Sequence, residues 1–500
     1  MSKHTEDAQA LKVAKTLKNA DNWKHLARWR GDGYYELQTE DTGDVPVRLF
    51  LTPQLLRNAE DILYRQVVNA TRFPGVKLVI ITPDTHYGYG VPVGCVILTD
   101  IESGAVAMGP VGYDIGCGML SAKSDVPVDA ATPEKRMAFN RAVIERVNMG
   151  TGGKSVKLGH LDEREFNNLV RGGAEYYVEK YGASFDRSRA ERHRMPVDDD
   201  WQTPWGGKGK PERGMDQLGS LGGGNHFIEL QKSEETQTLF VQAHTGSRGF
   251  GHGLATNYFE LAKAEKPDRI TDIDLGYFTP DSKHYRDYLN AVAAGGNYAI
   301  INRLIIFEQV AEAFRETFGS ELELIYEISH NLVQREWHPE YEEVWVHRKG
   351  ATRAFPAGHP GLKGTFWEET GHPVLIPGSN MDWSYILRPA SGAVNSGFSV
   401  NHGAGRRISR GEATRSLDQR QIDDQYREAG ILVNTDGRVP IDEAAPCYKS
   451  SEEVIEAVVG AGLATVEYKL WPLASLKGTD ERKQKRRRKG GKPGKTRAHF

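Results

Sequence analysis

The spacing of apolar residues along the chain changes between the period of a helix and the short runs of buried strands. Positions 52–67 begin with a capping threonine and a proline and continue with apolar residues at helical spacing, which predicts a helix. The same Thr-Pro start at 132–147 and the amphipathic stretch at 297–318 predict two more helices. Weaker patterns predict helices at 7–30, around Tyr176, Tyr177 and Tyr181, and at 452–459.

Short apolar runs between these helices predict strands. They lie at 76–81, 239–243, 322–328, 344–346, 374–376 and 464–476. Strands mixed with helices indicate an α/β fold of the mixed α+β type. Since no internal repeat or clear linker divides the chain before about residue 478, we expect one large domain at 45–478, preceded by a peripheral segment at 1–44.

Charge is unevenly distributed over the 500 residues. Positions 478–500 carry ten Lys or Arg against two acidic residues, so their net charge is +8 and the remaining chain carries −11. A Gly-, Lys- and Pro-rich end of this kind cannot bury a core, and we expect a disordered basic tail at 479–500. Such a tail either attracts phosphates without sequence preference or only increases solubility.

The rest of the composition indicates a globular cytoplasmic protein. No apolar run is long enough to span a membrane, and the N-terminus lacks the apolar region of a secretion signal. The three cysteines, Cys95, Cys117 and Cys447, are too few for a disulfide framework and fit a reducing compartment. In that compartment a thiolate near histidines is favoured as a metal ligand over half of a disulfide.

The candidate chemistry begins in the glycine-rich stretch 112–119. Its residues Asp114 and Cys117 place a carboxylate and a thiol three positions apart between glycines, where both groups could face one ion. The alternative is a tight turn with one buried cysteine. Four histidines among strand-ending or glycine-rich residues favour the metal site, namely His226, His244, His330 and His402.

These spacings match no zinc-finger pattern, whereas two ions bridged by a thiolate would suit phosphoryl chemistry. The glycine-rich loops at 222–224 and 403–405 would let backbone N–H groups approach phosphate oxygens. Arg248, Arg353 and Arg406 are either phosphate clamps or structural ion pairs.

Seven motifs together resemble the RtcB family of GTP- and Mn²⁺-dependent RNA ligases, which act in tRNA splicing and RNA repair. The resemblance runs from about residue 45 to Gly478, in the order of the family. The motifs are Pro83-Asp84-x-His86-x-Gly88-Tyr89-Gly90-x-Pro92-x-Gly94, Gly112-x-Asp114-x-Gly116-Cys117-Gly118, Leu218-Gly219-x-x-Gly222-Gly223-Gly224-Asn225-His226-Phe227, His244-x-Gly246-Ser247-Arg248-Gly249, Ser329-His330-Asn331, Arg348-Lys349-Gly350-Ala351-Thr352-Arg353 and His402-Gly403-Ala404-Gly405-Arg406.

The resemblance implies a family-specific single large domain with a central dinuclear metal site. It implies one Mn²⁺ on Asp114, Cys117 and His226 and a second on Cys117, His244 and His330, with Cys117 bridging. It also implies that His402 is the catalytic nucleophile that becomes guanylylated by GTP. Lys349 and Arg353 resemble basic residues that line the family's site.

The implied GTP-binding positions surround this histidine. They are Asn225, His226, Phe227, Glu229, His330, Asn331, Pro377, Gly378, Ser379, Asn380, Ser384, His402, Gly403, Ala404, Gly405, Tyr448 and Lys477. The sequence departs from the usual family loop Pro-Gly-Ser-Met-Gly-Thr-Ala-Ser-Tyr at 380–383, which reads Asn-Met-Asp-Trp. We expect Asp382 and Trp383 to add an acid and a large ring near the nucleotide.

The activity implied by the resemblance is the joining of an RNA 3′-phosphate or 2′,3′-cyclic phosphate end to a 5′-hydroxyl end through a GMP-activated RNA 3′ end. Its partners would be tRNA halves or damaged RNA. Two other functions are considered: a dinuclear metal phosphoesterase acting on RNA ends, and a non-catalytic protein that binds GTP or RNA ends. His402 discriminates, because a hydrolase does not need a guanylylated histidine.

Overall fold

The computed structural model describes residues 17–183, 186, 189 and 195–478, which form a mixed α/β fold, as the apolar pattern predicts. The expected basic tail at 479–500 and most of the predicted helix at 7–30 lie outside the described residues. Within the described part of that helix, a single turn at Trp23–Leu26 is followed by a short strand instead.

Nineteen strands are present among the described residues. In chain order they are β1 (Arg28–Arg30), β2 (Tyr34–Leu37), β3 (Val47–Leu49), β4 (Val76–His86), β5 (Val93–Asp100), β6 (Val106–Ala107), β7 (Gly118–Pro127), β8 (Phe227–Ser233), β9 (Thr238–Thr245), β10 (Tyr277–Phe278), β11 (Glu323–Ser329), β12 (Asn331–His338), β13 (Glu342–Lys349), β14 (Ala351–Arg353), β15 (Val374–Ile376), β16 (Ser384–Pro389), β17 (Ser399–Asn401), β18 (Leu432–Val433) and β19 (Ala464–Lys477).

Two large sheets contain most of these strands. The first has the order β1-β2-β3-β4-β5-β13-β12, with β3 and β4 parallel and the other neighbours antiparallel. The second has the order β11-β7-β9-β8-β19-β16-β15, and the short β18 pairs in parallel with β19. The chain passes directly from β11 in the second sheet to β12 in the first, with His330 between them.

The α-helices of the described chain pack around these sheets. They are α1 (Trp23–Leu26), α2 (Pro53–Asn58), α3 (Leu63–Ala70), α4 (Pro133–Arg146), α5 (Glu163–Tyr181), α6 (Arg248–Glu265), α7 (Tyr285–Phe318), α8 (Arg410–Ser416), α9 (Gln419–Glu428) and α10 (Ser451–Gly460). The 34-residue α7 is buried over most of its length and packs against α4, α5 and α6. None of these helices combines the length and apolar character needed to cross a bilayer.

Three sequence-based boundaries differ from the structure. The predicted helix at 52–67 is two helices, α2 and α3, because Ala59 is extended; both helices bury their apolar side in the same core. The helix predicted from 297 begins at Tyr285 and continues through Gly295 and Gly296. The strand predicted at 76–81 continues to His86, and its pairing with β5 is irregular between Ile81 and His86.

Candidate active site

The turn that carries Asp114 and Cys117 is packed closely against the middle of α7. A Cβ atom at Gly116 would lie 2.8 Å from Ala299 Cβ and 3.0 Å from Gly296 Cα, and the φ angle of Gly116 is 75°. Both the backbone angle and the lack of space require glycine at this position. The glycines of this stretch therefore bring the turn against the central helix, which fixes the direction of its two ligand side chains.

A buried arginine on α7 joins the three segments that supply most of the site. Arg303 donates to the carbonyl oxygens of Gly116 at 2.7 Å and Thr245 at 3.0 Å, and to Ser329 Oγ at 2.7 Å. Its charge is compensated by Glu327, with 2.6 Å between Arg303 Nε and Glu327 Oε2. Because each of these contacts is one residue from a predicted ligand, Arg303 fixes the relative positions of the ligands.

Five predicted metal ligands converge in two groups that share one sulfur atom. The first group is Asp114, Cys117 and His226, and the second is Cys117, His244 and His330; in each group the candidate ligand atoms lie within 4.8 Å of one another. His226 Nε2 is 3.0 Å from Asp114 Oδ2, and Cys117 Sγ is 3.2 Å from His244 Nε2. Carboxylate, thiolate and imidazole in this arrangement fit two divalent transition-metal ions.

The histidine rings are oriented for metal binding by their second nitrogen. His226 Nδ1 lies 3.0 Å from the carbonyl oxygen of Leu221, and His244 Nδ1 lies 3.2 Å from that of Asn225. A backbone carbonyl accepts a hydrogen bond, so each Nδ1 carries a proton, and Nε2 is the nitrogen that faces the shared sulfur and, in His226, also Asp114. This tautomer is the one required of a metal ligand.

Burial sets the charge of these side chains. It holds the pKa of His244 and of His330 well below the usual value, so both rings are neutral. Burial opposes ionisation of Asp114, but the hydrogen bond and charge of His226 lower the pKa of that carboxyl to about 2. Burial and Asp114 raise the pKa of the Cys117 thiol well above its usual value, so metal binding must displace that proton.

His402 lies beside the second ligand group, and a buried carboxylate holds it. The ring centroids of His402 and His330 are 4.9 Å apart, and His402 Nδ1 lies 2.6 Å from Asp84 Oδ2. The same Asp84 oxygen accepts the backbone N–H groups of His402 at 3.1 Å and Gly403 at 3.2 Å. The contact at Nδ1 leaves Nε2 as the ring nitrogen available for chemistry.

Asp84 remains ionised despite its complete burial. Burial alone would raise the pKa of this carboxyl, but the charge of the His402 ring and the hydrogen bonds from His402 and Thr82 outweigh it and lower the pKa. Its second oxygen accepts the Thr82 hydroxyl at 2.6 Å. A fixed carboxylate on one ring nitrogen is the usual means of orienting an imidazole and stabilising the charge it acquires when it reacts.

A cavity of about 330 Å³ opens over these groups. The predicted ligands Asp114, Cys117, His244 and His330 line it. Most predicted nucleotide positions line it as well, namely Asn225, Phe227, Asn331, Pro377, Gly378, Ser379, Asn380, His402, Gly403, Ala404, Gly405, Tyr448 and Lys477. Three do not: His226 is behind Cys117, whereas Glu229 and Ser384 are buried in the sheet that supports the cavity.

The polar side chains that line the cavity differ in how many of their hydrogen-bonding groups are already used within the protein. Asn331 uses both ends of its amide, donating to the Asp114 carbonyl oxygen at 3.2 Å and accepting from the Gly350 N–H at 2.8 Å. Asn225 is exposed at the cavity. Of the three candidate phosphate-binding arginines only Arg406 reaches the lining, where it pairs with Glu443 and covers the Tyr448 ring.

The departure at 380–383 affects the cavity less than the sequence suggests. Asp382 Oδ2 accepts the backbone N–H of Ser451 at 2.8 Å, at the start of α10, and Trp383 packs on Trp471 with 5.0 Å between ring centroids. Neither side chain lines the cavity, so the expectation that both add to the nucleotide surroundings is wrong. The acid binds a helix N-terminus instead, where a negative charge is favoured.

Asn380 is the part of the departure that does face the cavity. Its Oδ1 accepts the Tyr426 hydroxyl at 2.5 Å, and the Tyr426 oxygen in turn accepts the Ala445 N–H at 2.9 Å. Since Ala445 supplies a donor, the hydroxyl hydrogen of Tyr426 goes to Asn380 and fixes which end of the amide is the oxygen. Asn380 Nδ2 is buried and has no hydrogen-bond partner among the described residues.

The C-terminal strand supplies a buried cation at the same end of the cavity. Lys477 Nζ lies 5.4 Å from the centre of the Phe227 ring, and burial lowers the pKa of this lysine against the attraction of Glu443 and Glu229. Burial raises the pKa of Glu229 to about 7, while Gln231 donates to that carboxyl at 2.8 Å. An aromatic face and a cation therefore line this end of the cavity, with the Glu229 carboxyl group buried behind them.

Sequence reasoning missed three residues that the structure places in the machinery of this site. Asp84 stood in a quoted motif, but its contact with His402 joins positions 318 apart. Arg303 and Tyr426 sit in ordinary helical sequence and carried no signal beyond an unusual charge or hydroxyl at a buried position.

Comparison with known proteins gives a consistent result. Residues 66–478 match the family model described as "tRNA-splicing ligase RtcB". A protein named "tRNA-splicing ligase RtcB" from Pyrobaculum aerophilum is 35% identical over 468 residues, covering 87% of this chain and 95% of its own. A protein named "RNA-splicing ligase RtcB" from Mycobacterium tuberculosis is 35% identical over 443 residues, covering 83% of this chain and 100% of its own.

Proposed function

This chain belongs to the RtcB family, and from that membership and the site we propose that it is an RNA ligase that uses GTP. The proposed reaction joins an RNA 3′-phosphate end to an RNA 5′-hydroxyl end. The observation that carries the proposal is His402, a cavity-lining imidazole held by buried Asp84 next to a Cys/His/Asp cluster. A phosphoesterase would use the cluster but would not need a histidine that becomes guanylylated.

The proposed reaction has three steps. His402 Nε2 attacks the α-phosphorus of GTP, a P–N bond forms, and pyrophosphate leaves. An oxygen of the RNA 3′-phosphate then attacks the same phosphorus, which breaks the P–N bond and leaves GMP on the RNA end. Finally the 5′-hydroxyl attacks the activated 3′-phosphate and GMP departs. A 2′,3′-cyclic phosphate would first be opened by water to the 3′-phosphate.

The side chains divide this work between them. Asp84 orients the His402 ring and stabilises its positive charge while the P–N bond forms and breaks. Asp114, Cys117, His226, His244 and His330 would hold two Mn²⁺ ions, which would neutralise phosphate charge when bound. Phe227, Lys477 and Asn380 would bind the base, and Asn225 and Arg406, which line the same cavity, would contact the phosphates.

The function is tested by joining two RNA oligonucleotides in the presence of GTP and Mn²⁺. We expect a joined product when one RNA ends in a 3′-phosphate and the other begins with a 5′-hydroxyl, and none when the ends are a 3′-hydroxyl and a 5′-phosphate. Omission of GTP or chelation of the metal should abolish the product. Loss of the terminal phosphate without joining would instead identify a phosphoesterase.

The free amide of Asn380 makes a prediction about nucleotide choice. Its Nδ2 group is a hydrogen-bond donor and can pair with the carbonyl O6 of guanine. Adenine carries an amino group at that position, which is itself a donor and cannot accept this hydrogen bond. We expect Asn380→Asp, which replaces this donor by an acceptor, to reduce the preference for GTP over ATP by about tenfold or more. Equilibrium binding of both nucleotides, measured in a His402→Ala background, separates recognition from chemistry.

Asn380→Met is the matched control, since methionine is the usual residue of the family loop and offers no N–H donor. It should weaken GTP binding without favouring ATP. Tyr426→Phe should have a smaller effect in the same direction as Asn380→Asp, because the amide then loses the contact that fixes its orientation. An identical GTP-to-ATP ratio in all of these variants would remove Asn380 from base recognition.

A further inference from the structure

The loop between β4 and β5 exposes two tyrosine rings to solvent, and one of them lies at the cavity. Tyr87 and Tyr89 are 40% and 49% exposed, while Gly88 between them is buried. Tyr89 also lines the cavity. We propose that Tyr89 is a stacking platform for a nucleobase at the RNA end, a subsite that is separate from the site for the GTP base. The proposal rests on the proposed function.

The backbone of this loop is held by three buried or half-buried side chains from other parts of the chain. Gln66 donates to the Gly88 carbonyl oxygen and accepts the Gly88 N–H at 3.0 Å, and Asn69 donates to the Gly90 carbonyl oxygen at 2.8 Å. Lys349 Nζ donates to the carbonyl oxygen of Tyr89 at 2.5 Å. An exposed tyrosine on a loop that is held in this way loses little entropy when a base stacks on it.

The glycine before Tyr89 shows how closely the loop is packed. A Cβ atom at Gly88 would lie 2.6 Å from the Val91 carbonyl oxygen and 3.2 Å from Lys349 Nζ. No side chain is possible there without moving backbone or the lysine. The loop therefore buries its backbone and directs the Tyr89 ring outward, which is unlike an ordinary exposed tyrosine on a surface loop.

The surroundings of the ring suit a nucleotide. Tyr113 packs edge-on against Tyr89 with 6.0 Å between ring centroids, and it directly precedes the predicted ligand Asp114. The Arg410 guanidinium lines the same cavity, where it pairs with Glu443 at 2.8 Å. An aromatic face beside a cation is the usual combination for binding a single-stranded nucleotide.

The position of Tyr89 assigns it to RNA rather than to GTP. The proposed base pocket of GTP is formed by Phe227, Lys477 and Asn380, whereas Tyr89 contacts Tyr113 at the metal-ligand end of the cavity. The RNA end must bring its phosphate to that end in order to react. Its terminal base would then lie at the mouth of the cavity, within reach of an exposed ring.

The test uses full-length protein with RNA that carries 2-aminopurine as its terminal base, once at a 3′-phosphate end and once at a 5′-hydroxyl end. Stacking on an aromatic ring quenches the fluorescence of this base. We expect the wild-type chain and Tyr89→Phe to quench the fluorescence. Tyr89→Ala should not quench it and should bind the RNA about tenfold or more weakly than the wild-type chain does. The RNA that responds identifies which end uses the platform.

Two controls make the result decisive. Trp337→Ala removes another exposed aromatic ring, 42% exposed on β12 and outside the cavity lining, and should change neither signal. An RNA with an abasic terminal position should bind wild type and Tyr89→Ala equally, because it has no base to stack. Thermal unfolding of each variant checks that the fold is retained.

Unchanged quenching by a folded Tyr89→Ala chain would overturn the proposal. The proposal would also be overturned if Tyr89→Ala weakened GTP binding as much as RNA binding. Formation of the protein–GMP adduct by the wild-type chain is measured in the same preparations. A wild-type chain that forms no adduct contradicts the proposed ligase function, whereas an adduct combined with unchanged quenching contradicts only the platform.

Discussion

Substitution of His402 by alanine is expected to abolish the covalent protein–GMP adduct, with a loss of about 10³-fold or more in its rate of formation. The reason is that Asp84 holds the His402 ring with Nε2 available for reaction, whereas His244 and His330 lie in the ligand cluster. The measurement is incubation with radiolabelled GTP and Mn²⁺, followed by detection of label on the protein. A phosphoramidate should be acid-labile and stable to base.

Asp84→Asn provides the graded control for this experiment. Asparagine keeps the size of the side chain but removes the charge that faces His402 Nδ1 at 2.6 Å. We expect adduct formation to slow by roughly 10²-fold or more while GTP binding is retained, since the ring is misoriented but the cavity is intact. An adduct that persists in His402→Ala would assign the nucleophile to another residue and refute the proposed mechanism.

The sequence alone predicted the class of fold and the composition of the metal cluster. Residues such as Asp114, Cys117 and His330 fall at strand ends or on a glycine-rich turn, where side chains from distant parts of an α/β chain meet. Their residue types specify their chemistry. The residue pattern alone left four histidines as candidate ligands, and it was the resemblance to the RtcB family that separated His226, His244 and His330 from His402.

The boundaries of helices and strands were harder to predict from the sequence, because tertiary contacts override the local conformational preference of individual residues. Glycine disfavours helix, yet Gly295 and Gly296 both lie inside α7. The packing around α7 requires glycine there, because a side chain at Gly295 would meet Ile115 and one at Gly296 would meet Met195. Pro83 argues against a strand, yet it lies where the β4–β5 pairing is irregular and no donor is needed. In both cases the competing requirement comes from residues far away in the sequence.

The roles of the side chains that support the site could not be predicted from the sequence for the same reason. The roles of Asp84, Arg303 and Tyr426 depend on partners that are distant in the sequence. Asp84 and His402 are 318 positions apart, Arg303 and Gly116 are 187 apart, and Tyr426 and Asn380 are 46 apart. The misjudged pair Asp382 and Trp383 shows the converse. Residues 377–380, which precede them in the same loop, line the cavity, whereas Asp382 contacts the start of α10 and Trp383 packs on Trp471.

Cys117→Ala is expected to remove both metal ions together with the ligase activity. Its sulfur belongs to both ligand groups, so each group would retain only two of its three ligands. Loss of one ligand in each group should weaken binding of both ions by well over tenfold. Metal content after dialysis, measured by mass spectrometry, should fall from two ions per chain to none.

Asp114→Ala and His330→Ala are the matched controls, because each residue belongs to one group only. Each should lower the metal content by about one ion, and the two variants should lose different ions. Thermal unfolding with added Mn²⁺ gives a readout independent of activity, since an ion that binds the folded chain raises its midpoint. A Cys117→Ala chain that keeps two ions would show that the thiolate does not bridge, and the cluster would then be two separate sites.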